Sequence, residues 1–183
     1  INNIFFYEQT FMSTIVENFK KIKSNINNDN VNIIAVSKTF NYEHIKPLVD
    51  YGHTHFGENK VQEADIKWSS IKKENPNLKL HMIGKLQSNK AKKTVELFDY
   101  LHSLDSEKLA IALSKNEKNL SKRLSYFIQV NVGNEKQKSG ISANLVDDFY
   151  TYCKVSLNLN VIGLMAIPPV DGQEDIHFQY LYQ

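Results

Sequence analysis

Apolar positions in this chain follow two alternating periods. Over residues 13–26, Ile15, Val16, Phe19, Ile22 and Ile26 recur three and four residues apart, the spacing that lines one face of a helix. Asparagine-rich 27–30 stops that helix, and 31–36 follows as a β-branched run, apolar almost throughout, which suits a strand covered on both faces. Asn41 is placed to cap a helix over 42–51, with Ile45, Leu48 and Val49 on one face and Gly52 free to take a left-handed terminal conformation. The unit then repeats. Strands are predicted at 53–56, 78–83, 100–103, 124–132 and 159–165, with helices at 59–73, 88–98, 106–118 and 143–155 between them and a polar loop at 133–140. Beyond Pro168-Pro169 lies a further polar-to-apolar segment, 173–182.

Six strands alternating with helices predict right-handed βαβ units and a parallel sheet. A closed eight-stave barrel takes about 250 residues. Six strands in 183 residues therefore fit either an open doubly wound sheet, the default at this length, or a barrel missing its last quarter. The strand ends favour the barrel. Ser37-Lys38, Gly57-Glu58-Asn59, Gly84 through Asn89, Ser103-Leu104-Asp105, Asn131 and Met165 close the six strands in turn, and a barrel gathers such ends around one mouth. The phosphate loops of open nucleotide-binding sheets, G-x-G-x-x-G and G-x-x-x-x-G-K-[ST], are missing. The expected fold is an α/β chain, a (β/α)8 TIM barrel truncated after about six strands.

The chain starts at Ile1, and 1–11 has neither a basic n-region nor a small-residue cleavage site, so it fails as a signal peptide. Met12-Ser13-Thr14 opens the first helix, which makes 1–11 an expected leader, read-through or remnant and 12–183 a single domain. The apolar run 161–167 is far below the roughly 20 residues that span a bilayer. Lys+Arg 22 against Asp+Glu 20 leaves +2, too little to demand nucleic acid or an anionic membrane as partner. Arg123 is the sole arginine, and the abundance of lysine, asparagine and isoleucine reads as codon bias more than as a lysine surface. Cys153, the one cysteine, rules out an internal disulfide and a multi-thiolate metal site and fits a reducing, cytoplasmic setting.

Candidate chemistry is sparse. Lys38 ends an apolar strand, where low-dielectric walls would favour a neutral amine able to attack an aldehyde; the alternative is a lysine snorkelling to solvent. Glu58 and Asn59 follow a glycine at a helix start, where carboxylate and amide serve as caps, although Asn59 aimed into the mouth would hydrogen-bond a ring hydroxyl. His53 and His55 share a strand face and His81 lies on the next strand, but no local motif adds a third metal ligand, so no metal is expected. His102 reads as a packed or capping histidine. No G-x-S-x-G nucleophile elbow occurs, and the lysine-rich 85–93 reads as a solvated helix start rather than a phosphate or RNA contact.

Six ordered motifs carry a family resemblance: Ala35-Val36-Ser37-Lys38-Thr39; Phe56-Gly57-Glu58-Asn59 with Val61-Gln62-Glu63; His81-x-Ile83-Gly84-x-Leu86-Gln87-Ser88-Asn89-Lys90; His102-Ser103-Leu104-Asp105-Ser106; Gln129-Val130-Asn131 with Lys138-Ser139-Gly140; and Gly163-Leu164-Met165-Ala166-Ile167-Pro168. Together they resemble the pyridoxal 5′-phosphate homeostasis protein family, also called proline synthase co-transcribed protein. The resemblance implies a barrel of the alanine racemase N-terminal-domain type and pyridoxal 5′-phosphate (PLP) held as a Schiff base on Lys38, with Asn59 and Met165 lining the cavity. It also implies a non-enzymatic carrier with no catalytic residues, acting in intracellular PLP homeostasis, with PLP-dependent apo-enzymes as candidate recipients; oligomeric state is left open. Two departures stand out. Lys85 occupies the place of a usual proline, and the Gly-Met-Ser and Val-Arg-Ile-Gly segments that give the family its phosphate cradle and pyridine-facing arginine do not occur. Two alternatives stay open: an amino-acid racemase-like enzyme, which needs a tyrosine or cysteine base opposite Lys38, and a truncated product that has lost PLP binding.

Overall fold

The computed structural model describes residues 2–26, 28, 30–133, 139–169 and 172–182, with side chains from Thr14 onward. Helix α1 (Asn2–Asn25) leads into strand β1 (Ala35–Val36), α2 (Tyr42–Asp50), β2 (His55–Glu58), α3 (Val61–Glu74), β3 (Lys79–Met82) and α4 (Ala91–Leu97). Then come β4 (Tyr100–Leu104), α5 (Glu107–Leu120), β5 (Ser125–Asn131), a short β6 (Ile141–Ser142), α6 (Val146–Thr151), β7 (Asn160–Met165) and α7 (Glu174–Tyr182).

The order of strands in space decides the architecture. β1, β2, β3, β4, β5 and β7 lie side by side in chain order, and every pair is parallel. A doubly wound sheet reverses direction at an inner strand. Sequential order with right-handed crossovers instead keeps all helices on one face, which is how barrel staves are laid. The two-residue β6 hangs on the carboxyl end of β5, pairing Ile141 with Val130 and Ser142 with Asn131.

Local chemistry accounts for both ends of α2. Asn41 caps α2 by accepting the His44 amide at 3.0 Å, and Gly52 takes a φ of +96° beyond it. α6 widens into a π-type turn, Tyr152–Ser156, before the chain re-enters the sheet. β1 is shorter than the apolar run 31–36, since only Ala35 and Val36 pair with β2, its one strand neighbour among the described residues. The first helix starts at Asn2, not at residue 13. Its Phe19 packs on His53 and Tyr51, with ring centroids 4.6 and 6.0 Å apart, at the amino end of β2.

The core lies between sheet and helices. Phe56, Leu80, Met82, Leu101, Tyr126 and Ile128 present the outer face of the strands, and Leu48, Ala64, Trp68, Val95, Leu109, Leu113 and Cys153 come down from the helices, all essentially inaccessible. The period of two along each strand then leaves His55, His81, His102 and Phe127 on the inner face.

Candidate functional site

Backbone geometry brings the carboxyl ends of the strands into one cleft. Lys38 follows β1, Asn59 follows β2, Ile83 to Lys85 follow β3, and Gln129 to Asn131 end β5; with Ser139 and Ile167 they enclose about 540 Å³. Two glycines make this closure possible. A Cβ on Gly84 would stand 2.4 Å from the backbone oxygen of Asn59 and 2.8 Å from its Cα, so only glycine lets the ends of β2 and β3 meet. Gly140, at φ +128°, stands so close to the end of β5 that a Cβ there would lie 2.7 Å from the Asn131 amide nitrogen.

Lys38 stands exposed at the rim, not walled in by apolar side chains as its strand suggested, and it has no ion-pair or hydrogen-bond partner among the described residues. Asn59 faces the same cleft with its side-chain oxygen buried and unpartnered. A buried amide oxygen without a partner costs about 1–3 kcal/mol, and this one has none among the described residues. Met165 ends β7 in register with Gln129, on the same inner face, while the lining on that side comes from Ile167. Lys138 lies outside the described residues. The cleft lining therefore holds two lysines, Lys38 and Lys85, and three amides, with no carboxylate, histidine, tyrosine or cysteine among the described residues.

Below Lys38 the strand end is clamped. Glu58, at 0% exposure, accepts through Oε1 from the Ser37 hydroxyl (2.8 Å), the Trp68 indole (2.9 Å) and the Lys67 ammonium (2.8 Å). Lys67 also donates to the Ser37 carbonyl at 2.6 Å. The capping role open to Glu58 is not the one it takes, since the residue before α3 is Lys60. Ser37 through Phe40 form a turn closed by the Phe40 amide on the Ser37 carbonyl at 3.3 Å, with Thr39 at φ +70°. A β-branched residue in that region is strained by about 1–3 kcal/mol. None of this network was visible as a motif, because Ser37, Glu58, Lys67 and Trp68 meet only once β1, β2 and α3 are docked.

The inner face carries a second polar feature. Nδ1 of His55 lies 2.9 Å from Nε2 of His81, and Nδ1 of His81 lies 2.9 Å from Nε2 of His102; His81 stacks on Tyr100 and His102 on Phe127. Burial, with help from the neighbouring rings, pushes His81 down to about 3, and burial takes His102 down to about 4. These imidazoles bond one another, and among the described residues no group of three His, Cys, Asp or Glu is placed to hold a metal. Cys153 is buried in the helix layer, which pushes its thiol up to about 12.

Sequential parallel strands whose carboxyl ends gather Lys38 and Asn59 into one cleft define an α/β protein of the barrel type. The sequence profile of the alanine racemase N-terminal domain matches residues 12–182. The chain is 38% identical over 168 residues to the pyridoxal phosphate homeostasis protein of Pasteurella multocida (86% of this chain, 72% of the relative) and 36% identical over 184 residues to that of Vibrio alginolyticus (93% and 79%). Among solved structures it is similar to PipY of Synechococcus elongatus with PLP bound, at TM-score 0.81 and 32% identity over 92% of this chain and 78% of that one. The chain belongs to the alanine racemase N-terminal-domain family, in the branch whose curated members are named pyridoxal phosphate homeostasis protein.

Proposed function

We propose that this protein binds PLP at Lys38 and serves PLP homeostasis as a carrier rather than as an enzyme. One observation carries the reading: the Lys38 amine and the Asn59 oxygen, neither with a partner among the described residues, share a cleft lined by cations and amides. PLP supplies an aldehyde that condenses reversibly with a lysine amine, releasing one water. That donor set fits the aldehyde and ring hydroxyl of the group. The Lys85 ammonium would bring positive charge toward the anionic group and the Asn59 oxygen would accept from a ring hydroxyl, with Met165 in register with Gln129 on the inner wall. PipY, solved with PLP bound, is similar over nine-tenths of this chain.

The carrier reading rests on what the cleft lacks. Two-base inversion at a substrate α-carbon needs an acid–base group facing the lysine from the opposite side, and among the described lining residues the one other such group is Lys85, with no tyrosine or cysteine. Cys153, buried in the helix layer, is neither near the mouth nor ionised at neutral pH. The partners we propose are PLP itself and, as recipients, PLP-dependent apo-enzymes. No helix among the described residues is long and apolar enough to cross a membrane; we place the protein in the cytoplasm, where a single unpaired cysteine is at home.

The test is the absorption spectrum of purified protein with added PLP, followed by borohydride reduction and peptide mass mapping. A visible band that disappears in Lys38→Ala, with the reduced adduct on Lys38, is the expected result. A folded protein with no such band refutes the reading. Incubation with alanine enantiomers separates carrier from racemase: no exchange of the α-proton is expected, and measurable racemisation would overturn the carrier assignment.

A further inference from the structure

Lys38 leaves the sheet at a weak point. β1 contributes two residues to the ladder, and the last backbone bond into β2 is from the Ser37 amide to the Gly57 carbonyl at 3.0 Å. Beyond that bond nothing in the sheet fixes the peptide that joins Ser37 to Lys38, and the next residue, Thr39, holds a φ of +70° that a β-branched side chain resists. A strained turn placed after a loosely held strand end relaxes unless something outside the turn over-determines it.

Lys67 is that outside restraint. It reaches from the second turn of α3 and is nearly enclosed, its side chain 10% exposed. Its ammonium bonds the Ser37 carbonyl at 2.6 Å, the same oxygen that the Phe40 amide reaches to close the turn. Glu58 holds the ammonium in place at 2.8 Å and is itself fixed by the Trp68 indole and the Ser37 hydroxyl. Charge-assisted bonds of this kind are shorter and stronger than neutral ones. With the carbonyl clamped, the plane of the Ser37–Lys38 peptide is set, and with it the direction in which the Lys38 side chain leaves the backbone toward Asn59. We infer that Lys67, seated by Glu58, is a positioning residue for Lys38: it holds the strained 37–40 turn in the one arrangement that delivers the amine into the cleft. This rests on Lys38 being the PLP attachment point.

A Lys67→Met variant alone would strand Glu58 as a buried charge and weaken the fold, so the decisive protein is the double variant Glu58→Gln with Lys67→Met, which removes both charges and leaves the Ser37 carbonyl unclamped. Wild type, the double variant and Ser37→Ala are compared by three readouts: the equilibrium constant for covalent PLP at Lys38 from borohydride-trapped mass; the affinity for pyridoxine 5′-phosphate, which has no aldehyde; and deuterium exchange at the Phe40 amide. The double variant is expected to stay folded, form the Lys38 adduct about tenfold less favourably, bind pyridoxine 5′-phosphate within twofold of wild type and exchange Phe40 faster. Ser37→Ala, which keeps the carbonyl and its ammonium but removes one of the hydroxyl and indole donors that fix Glu58, is expected to form the adduct less favourably than wild type and more favourably than the double variant. A folded double variant with a wild-type adduct constant overturns the inference. Parallel loss of both ligands also overturns it, since the pair would then be supporting the cleft as a whole. Wild type is read first, and its failure to label Lys38 would refute the PLP site itself and this inference with it.

Discussion

Mild acid should loosen this fold through the imidazoles of the inner face. His55, His81 and His102 are joined by two N···N contacts of 2.9 Å. Each contact takes one N–H, so His81 in its neutral form donates through one nitrogen and accepts through the other. A protonated His81 would donate through both and would have to be desolvated as a cation beneath Tyr100, at 4% exposure. The folded protein therefore keeps it neutral down to about 3, whereas the unfolded chain takes up a proton near 6.5. Because the unfolded state binds the extra proton, stability is complete above about 6.5, falls as pH drops below it, and stops falling near the folded value. At pH 5.0 the interval is about 1.5 units, worth about 2 kcal/mol for His81 at 1.36 kcal/mol per unit. His102, half-buried and down to about 4, adds about 1 kcal/mol after allowance for its exposure. Urea unfolding of the ligand-free protein should show a loss of about 3 kcal/mol between pH 7.5 and 5.0. Glu117, raised by burial, acts with the opposite sign, gaining stability as it protonates. Comparison with His81→Asn cancels it, because Glu117 titrates in both proteins. The variant should be less stable at pH 7.5, with a pH dependence smaller by about 2 kcal/mol. Equal pH dependence in the two proteins, or a wild type whose stability is flat over this range, would refute the neutral ladder.

Three further outcomes follow from single positions. Gly84→Ala forces a Cβ to 2.4 Å from the Asn59 backbone oxygen; a loss of about 1–3 kcal/mol is expected in urea melts, together with weaker PLP binding, and an unperturbed protein would show that the two strand ends are not held together as described. Thr39→Gly removes a β-branched residue from φ +70° and should raise folding stability by about 1 kcal/mol in the same assay, where a decrease would deny the strain. Cys153, buried with its thiol raised to about 12, should resist iodoacetamide at pH 8 in the native protein and react readily in urea; rapid native alkylation would contradict its placement in the helix layer.

The local periods of the chain were enough to predict the alternation of strands and helices, the Asn41 cap and the Gly52 turn, since each depends on neighbours within one or two turns of chain. Ordered motifs were enough to indicate the family and to single out Lys38 and Asn59, which the structure brings into one cleft 21 residues apart in sequence. Periodicity could not choose between a doubly wound sheet and a barrel. That choice lies in which strands touch, and strand order depends on the direction of each crossover, a long-range property. The same limit hid the partners of the site. Glu58, read as a helix cap, turned out to anchor Lys67, because its orientation depends on how α3 docks against β1 and β2. His55 and His81, weighed as metal ligands, bond each other and His102 instead, because adjacent parallel strands set their rings side by side at hydrogen-bonding distance. Local chemistry names the elements and the reactive side chain. Only the register between distant strands decides which polar groups share the interior, because burial removes water as their alternative partner and makes each depend on whichever group the fold places beside it.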